Sequence, residues 1–417
     1  MNPPDRVPDL TTSTAPLSQR ALWKMLLALT AAFAMSHAFR TIAAIMATPL
    51  QADFALSAQQ LGLFAAAFHF AFGVMQLFMG VGIDLHGLRR TVLVAFPLAV
   101  AGAALSAAST QFGWLVLGQV MIGVGCAPAF LACTVFIARN FPAERFAAVS
   151  GLVITIGSVG MLATSTPLAW LIEASSWRAG FWVLSAGSAA AWLLVLLLVR
   201  ETTVATTGTA ARRESLAGAV RGFGALLLVR HTAGILMLSS VSYAAYIALR
   251  GLWLGPLLIT RHGFSLVESG NVVLAVSVAS LIGPPLFGRL DPGPLARRRW
   301  IVVFTGITAA LLTMMAFATS AWIDVALACV IALVSGYMVL QYADVRSAYP
   351  VAMVGRALSL FTMAMFMGIA LVQWLTGLAA SHAALVGMAP FTAVLLSLAL
   401  LLVAGATAFT WLPRPPT

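Results

Sequence analysis

Twelve continuous apolar runs divide this chain of 417 residues, near 22–50, 60–83, 91–109, 114–138, 148–172, 180–199, 232–259, 265–288, 300–319, 322–343, 357–380 and 386–411. Each is long enough to cross a hydrocarbon core of roughly 30 Å as a helix. A backbone in lipid must satisfy its own hydrogen bonds, which leaves helices or a closed barrel. A barrel needs segments of about ten residues that alternate in polarity, and these runs are apolar throughout. With 61% hydrophobic and only 8% charged residues, the composition lies outside that of a soluble globular domain. The sequence predicts an all-α membrane protein with 12 transmembrane helices. The polar leader of 20 residues lacks a small-residue cleavage signature, so it reads as a tail and the first run as a retained helix.

The chain also repeats itself at an offset of 208 residues. Gly62 matches Gly270, Gly80 matches Gly288, Arg89 and Arg90 match Arg297 and Arg298, Pro142 matches Pro350, and Gly160 matches Gly368. Turn-formers, small packing residues and basic loop residues all take part, so the duplication covers architecture rather than one motif. It predicts two pseudo-symmetric six-helix bundles, 21–200 and 232–411, related by an axis along the membrane normal. Residues 201–231 form a linker and 1–20 and 412–417 form tails. The linker is rich in Thr, Ala and Gly and has no folded-domain signature. In such duplicated membrane proteins the substrate site lies where the halves meet.

The net charge of +11 is topological. If the N-terminus is cytoplasmic, 19 of the 23 basic residues fall on the inner side and only Arg178 and Arg261 fall in outer loops. The positive-inside rule then places both termini in the cytoplasm, with the chain multi-pass in the cytoplasmic (inner) membrane. Nucleic acid binding need not be invoked.

Two arginines remain, Arg40 in the first helix and Arg250 in the seventh. They sit at matched predicted depth in the equivalent helix of each half. An arginine inside a membrane helix costs several kcal/mol unless it faces water, a partner or a ligand. All 12 acidic residues can be placed in the leader, the loops or at helix ends, so a bound anion is the natural counter-charge, held by planar forks suited to carboxylate or phosphate. The competing reading is that each arginine snorkels or bonds to backbone carbonyls.

The segment Gly80-Val81-Gly82-Ile83-Asp84-Leu85-His86-Gly87-Leu88-Arg89-Arg90 resembles the loop signature of the major facilitator superfamily. A degenerate copy runs from Gly288 through Asp291 and Gly293 to Arg297–Arg299. Phe141-Pro142 with Glu144-Arg145, Tyr349-Pro350 with Gly355-Arg356, and Trp177-Arg178 with Phe181 are similar to three further loops of that family. The resemblance covers essentially the whole chain. It implies the family's twelve-helix fold, rocker-switch transport, and a cytoplasmic gate built from Gly80, Asp84, Gly87, Arg89, Arg90 and Arg145. Leu85 stands where the family usually has a basic residue. Signals of the family's drug exporters are missing: Gln119 replaces the usual helix-four arginine, and helix five lacks the Gly-Pro-Gly-Gly type of motif. Arginines in helices one and seven resemble those of organophosphate antiporters and related organic-anion carriers.

Polar residues within helices complete the candidate site. Gln76, Gln119, Gln341 and Gln373 either line a cavity or bond between helices. His37, one turn before Arg40, and His69 are candidate proton carriers, or satisfied packing residues. Tyr243, Tyr246 and Trp253 flank Arg250 as pocket wall or interface anchors. Cys126, Cys133 and Cys329 have no metal or disulfide spacing. No cofactor, metal or enzymatic nucleophile is expected. The expected function is secondary transport of a small organic anion, carboxylate-type, by a monomer. Proton symport, exchange and uniport all stay open. The alternatives are a drug or metabolite efflux pump of the same fold, and a non-transporting membrane sensor.

Overall fold

The computed structural model describes residues 18–142, 145–200, 224 and 226–413. Among them are helices and turns but no strand, and 12 helices are long and apolar enough to cross a membrane. The protein is thus an all-α, multi-pass membrane protein with one spanning helix for each apolar run. Most of both tails and most of the predicted linker lie outside the described residues.

The first half contains α1 (Gln19–Thr41 continued by Ala43–Phe54), α2 (Ala58–His86) and α3 (Leu88–Ala95 and Pro97–Ala108). It continues with α4 (Phe112–Cys126 and Ala129–Asn140), α5 (Phe146–Gly157, Val159–Ala163 and Thr166–Ala174) and α6 (Trp177–Leu198). The second half opens with α7, in which Thr232–Ala248 and Leu254–His262 flank a π-helical turn at Leu249–Trp253. Then come α8 (Leu266–Arg289), α9 (Pro294–Phe317), α10 (Ala321–Val334 and Met338–Ala348 around a tight turn), α11 (Val351–His382) and α12 (Pro390–Trp411). The end of the bundle where α6 finishes and α7 starts is here the linker side; the opposite end is the far side.

The duplication is visible in local chemistry. Ser57 and Gln60 form a capping box at the start of α2, and Ser265 and Glu268 form one at the start of α8, the same positions in the repeat. Each serine takes up an orphan amide of the first turn while the third-position side chain returns the bond. The basic loops after these helices both turn through a glycine with positive φ, Gly87 at 84° and Gly293 at 81°, a region that L side chains avoid. Gly160 of α5 lies against the backbone of Ala34 in α1, and its repeat partner Gly368 of α11 lies against Ser240 in α7. Missing Cβ atoms therefore set the tightest helix approaches inside both halves alike.

Between the halves, contact is built on the far side. A Cβ on Gly62 of α2 would meet the Gln373 carbonyl at 2.5 Å and the Gly377 Cα at 3.1 Å, both on α11. A Cβ on Gly270 of α8 would meet Ala169 and Thr166 of α5 at 3.0 and 3.1 Å. Three hydrogen bonds reinforce this closure: Gln59 N–H to Ser381 Oγ at 2.9 Å, Val267 N–H to Glu173 Oε1 at 3.0 Å, and Thr166 Oγ1 to Asn271 Oδ1 at 2.8 Å. On the linker side the same four helices carry Gly80, Gly151, Gly288 and Gly355, and none has an atom within 4 Å of where a Cβ would stand. Large apolar side chains cover the outside, among them Trp322 at the far-side start of α10 and Trp411 at the linker-side end of α12, both exposed. Trp at such ends suits the membrane–water interface.

Candidate functional site

Arg40 stands near the middle of the bundle, just before α1 is interrupted at Ile42. That interruption faces another: Thr41 Oγ1 lies 3.1 Å from Thr164 Oγ1, where α5 is broken ahead of its Thr166-Pro167 restart. The Arg40 guanidinium lies over two rings, 4.6 Å from the Phe72 centroid on α2 and 4.9 Å from the Phe366 centroid on α11. Those rings come from different halves and meet at 4.5 Å. Arg40 is partly exposed, its Nε is buried without a hydrogen-bond partner, and among the described residues no carboxylate lies within ion-pair distance. Cation–π contact offsets part of the cost of a buried guanidinium but does not neutralise its charge.

Arg250 is placed differently. It is completely buried, inside the π-helical turn of α7. Its Nε and Nη2 donate to Ser277 Oγ of α8 at 3.1 and 2.7 Å, and Nη2 also donates to the Met161 carbonyl at 3.2 Å and to Ser165 Oγ at 3.5 Å. Met161 and Ser165 belong to α5, so this side chain ties the two halves together. Only Nη1 lacks a partner. A π turn holds an extra residue and so rotates the downstream part of the helix relative to an uninterrupted α-helix. The repeat position of Arg40 is residue 248, the last before that turn. The two arginines thus come from equivalent helices but present different surroundings.

Of the two candidate histidines, His37 is partly exposed one turn from Arg40, with its ring edge-on to Phe33 at 4.4 Å and Nδ1 unpartnered. His69 is buried, with Nδ1 3.1 Å from the Ala65 carbonyl and Nε2 unpartnered. Gln76 donates to the Ala127 carbonyl of α4 at 3.3 Å and is partly exposed. Gln119 and Gln373 are buried with amide atoms unsatisfied, whereas Gln341 pairs with Ser242 at 3.0 Å. Tyr243 is partly exposed, and Tyr246 is buried with its hydroxyl unpartnered. Trp253 is buried and donates to Thr376 Oγ1 of α11 at 2.9 Å, which makes it an anchor within the second half.

At the expected gate, Asp84 occupies the last turn of α2 and Gly87 caps that helix through its amide to the Ile83 carbonyl; the Asp84 side chain lies outside the described part. Arg89 donates to the Val199 and Leu196 carbonyls at 2.6 and 2.9 Å, satisfying orphan acceptors at the end of α6. Arg90 and Arg145 are exposed, and Gly80 faces open space. The copy that looked degenerate in sequence holds a compact ion cluster. Arg297 pairs with Asp291 at 2.7 Å and reaches the Ala343 carbonyl of α10, while Arg298 lies 3.3 Å from Asp344 and over the Phe409 ring at 4.0 Å. Arg297 holds the Asp291 carboxyl below the usual carboxylate range.

Sequence reasoning did not find the Phe72–Phe366 seat of Arg40, because aromatic residues in apolar helices carry no signal of which neighbour they meet. It also passed over the far-side cluster of Arg261, His262 and Asp324. Asp324 is fully buried, 2.7 Å from His262 Nε2 and 3.3 Å from Arg261 Nη1, and an Arg-His pair at a helix end was the available clue.

Residues 28–372 match the Major Facilitator Superfamily. Solved structures of similar fold include a D-xylose–proton symporter, with a TM-score of 0.76 at 17% identity over 95% of this chain and 99% of that one. A bacterial homolog of the human lysosomal transporter Spinster, inward-facing and unoccupied, aligns with a TM-score of 0.70 at 16% identity over 94% and 96%. The nucleoside transporter NupG aligns with a TM-score of 0.71 at 16% identity over 94% and 98%. In sequence, 170 residues are 28% identical to the mouse solute carrier family 2 facilitated glucose transporter member 10, covering 40% of this chain and 30% of that carrier. The zebrafish (Danio rerio) counterpart is 32% identical over 79 residues, 19% of this chain and 15% of its own length. These curated relatives are therefore matched over less than a third of their length. The family match runs from the first helix into the eleventh and the fold agrees throughout, so the chain belongs to the Major Facilitator Superfamily.

Proposed function

We propose that the protein moves a small organic anion across a cytoplasmic membrane by alternating access, with Arg40 as the contact for the substrate charge. The observation that carries this reading is the state of Arg40: partly exposed at the seam between the halves, stacked on a ring from each, and with no carboxylate partner among the described residues. A cation left unpaired in a low-dielectric region favours an anionic ligand strongly. Arg250, with Nε and Nη2 committed to Ser277, Met161 and Ser165, serves as a tie between the halves.

The 19-to-2 distribution of basic residues supports a cytoplasmic linker side and cytoplasmic termini. Far-side closure then corresponds to an inward-facing arrangement. Both faces of the seam come from one chain, which supports a working monomer. His37, partly exposed beside Arg40, is the candidate for proton coupling.

A thermal-shift screen of mono-, di- and tricarboxylates, phosphate esters and nitrate on purified protein tests the reading, because a ligand that binds the folded state raises apparent stability by mass action. Arg40→Gln is expected to abolish the shift. A ligand whose binding is unchanged in that variant would reject the anion site and favour a drug or metabolite exporter.

A further inference from the structure

The transported anion carries a single negative charge on a flat aromatic body; we infer this from Arg40, the one accessible cation at the seam among the described residues, and the rings around it. The inference rests on Arg40 as the anion contact and adds valence and shape to it. Charge count comes first. Of the two intramembrane arginines, Arg250 is completely buried and its Nε and Nη2 are spent on Ser277, Met161 and Ser165. Arg40 alone is partly exposed. One accessible guanidinium receives one carboxylate. A dianion brought to the same place leaves its second carboxylate without an accessible guanidinium in a region of low dielectric, which is costly.

Geometry comes second. Phe72 and Phe366 lie together on one side of the guanidinium, their centroids 4.6 and 4.9 Å from its Cζ and 4.5 Å from each other. The opposite side and the N–H donors are left to a ligand, and a guanidinium fork receives a carboxylate through both oxygens. The body attached to that carboxylate then lies among aromatic side chains. His37 is one turn away on α1. Tyr243 of α7 is partly exposed and Tyr342 of α10 is exposed. Tyr342 reaches α11 at Met365, the neighbour of Phe366, with its hydroxyl 3.5 Å from the sulfur. Rings from both halves thus border the charge contact, and offset or edge-to-face packing against them selects a planar unsaturated body over a sugar or a short aliphatic chain.

Equilibrium binding to purified, monodisperse protein with four probes tests the inference: benzoate, acetate, phthalate and benzamide. Benzoate is expected to bind about tenfold or more tighter than acetate or phthalate, with no measurable benzamide binding and with loss of benzoate binding in Arg40→Gln. Tyr342→Leu keeps apolar bulk and removes the ring. It should lower the benzoate-to-acetate preference about two- to tenfold, the range an aromatic pair contributes. A melting curve like wild type shows that this variant is folded. Arg40-dependent binding that is equal for acetate and benzoate, or tighter for phthalate, overturns the inference and leaves the anion site standing. Benzamide binding that survives Arg40→Gln overturns both. No benzoate binding at all also overturns the inference.

Discussion

Nη2 of Arg250 donates a hydrogen bond to the main-chain carbonyl of Met161, 3.2 Å away on the other half of the molecule. A charge-assisted bond across a closed seam favours the state in which the seam is closed. Arg250→Gln is therefore expected to destabilise the far-side-closed form by about 1–3 kcal/mol, the cost of orphaning buried partners. The effect should read as a lower melting temperature and a wider far-side distance distribution between spin labels. Substrate affinity measured per folded molecule should change less than in an Arg40 variant.

Arg40→Gln should do the reverse. The protein should fold and melt near wild type, and anion binding should weaken by about 2–5 kcal/mol, as when one partner of a desolvated charge pair is removed. Arg40→Lys should recover only part of the loss, because an ammonium supplies a point charge without the planar fork that stacks on Phe72 and Phe366. Titration calorimetry on monodisperse protein distinguishes the two variants.

Bulk added at repeat-matched glycines should act according to side. Gly62→Val places a side chain against the Gln373 carbonyl and Gly377, where no room exists, and should open the far side. Gly80→Val enters open space and should leave this state unperturbed. Cysteine accessibility at the far-side ends of α2 and α11 is the readout, and equal labelling of the two variants would contradict the packing argument.

The Asp291–Arg297 pair predicts a pH dependence. Arg297 holds the Asp291 carboxyl below its ordinary value, so the folded state favours the charged form. The contribution is present above the unfolded carboxyl value of about 3.9 and is lost as pH falls through the lower folded value. Wild type should exceed Asp291→Asn in stability at neutral pH by no more than about 1 kcal/mol, since the pair is partly exposed. That gap should close in melts taken at strongly acidic pH.

His37→Gln tests proton coupling. Substrate binding in the absence of a gradient should survive, while accumulation driven by an imposed pH gradient in proteoliposomes should fall to the level of passive exchange. Full accumulation in the variant would move the coupling role away from this side chain.

The spans were legible because burial in lipid imposes a length and a composition that no other constraint mimics. The two arginines were legible for the same reason, since the cost of placing them in helices 1 and 7 is visible without a structure. Their orientations were not. The turn at Leu249–Trp253 alters helical phase, and Gly251 within it does not by itself announce an extra residue. The capping boxes at Ser57 and Ser265 obey local rules and were readable in principle. The Phe72–Phe366 contact joins residues 294 positions apart and depends on how the halves rock together, which no local pattern records.

That contact makes Arg40 a side chain with one fixed and one removable neighbour. Phe72 belongs to the same rigid half as Arg40, and Phe366 belongs to the other. When the halves tilt apart on the far side, the guanidinium keeps the Phe72 ring and loses the Phe366 ring beside it, and water enters where that ring stood. The ligand grip and the direction of access are then two readings of one variable, so an anion that holds its carboxylate in the Arg40 plane also weighs on which side of the membrane the carrier faces.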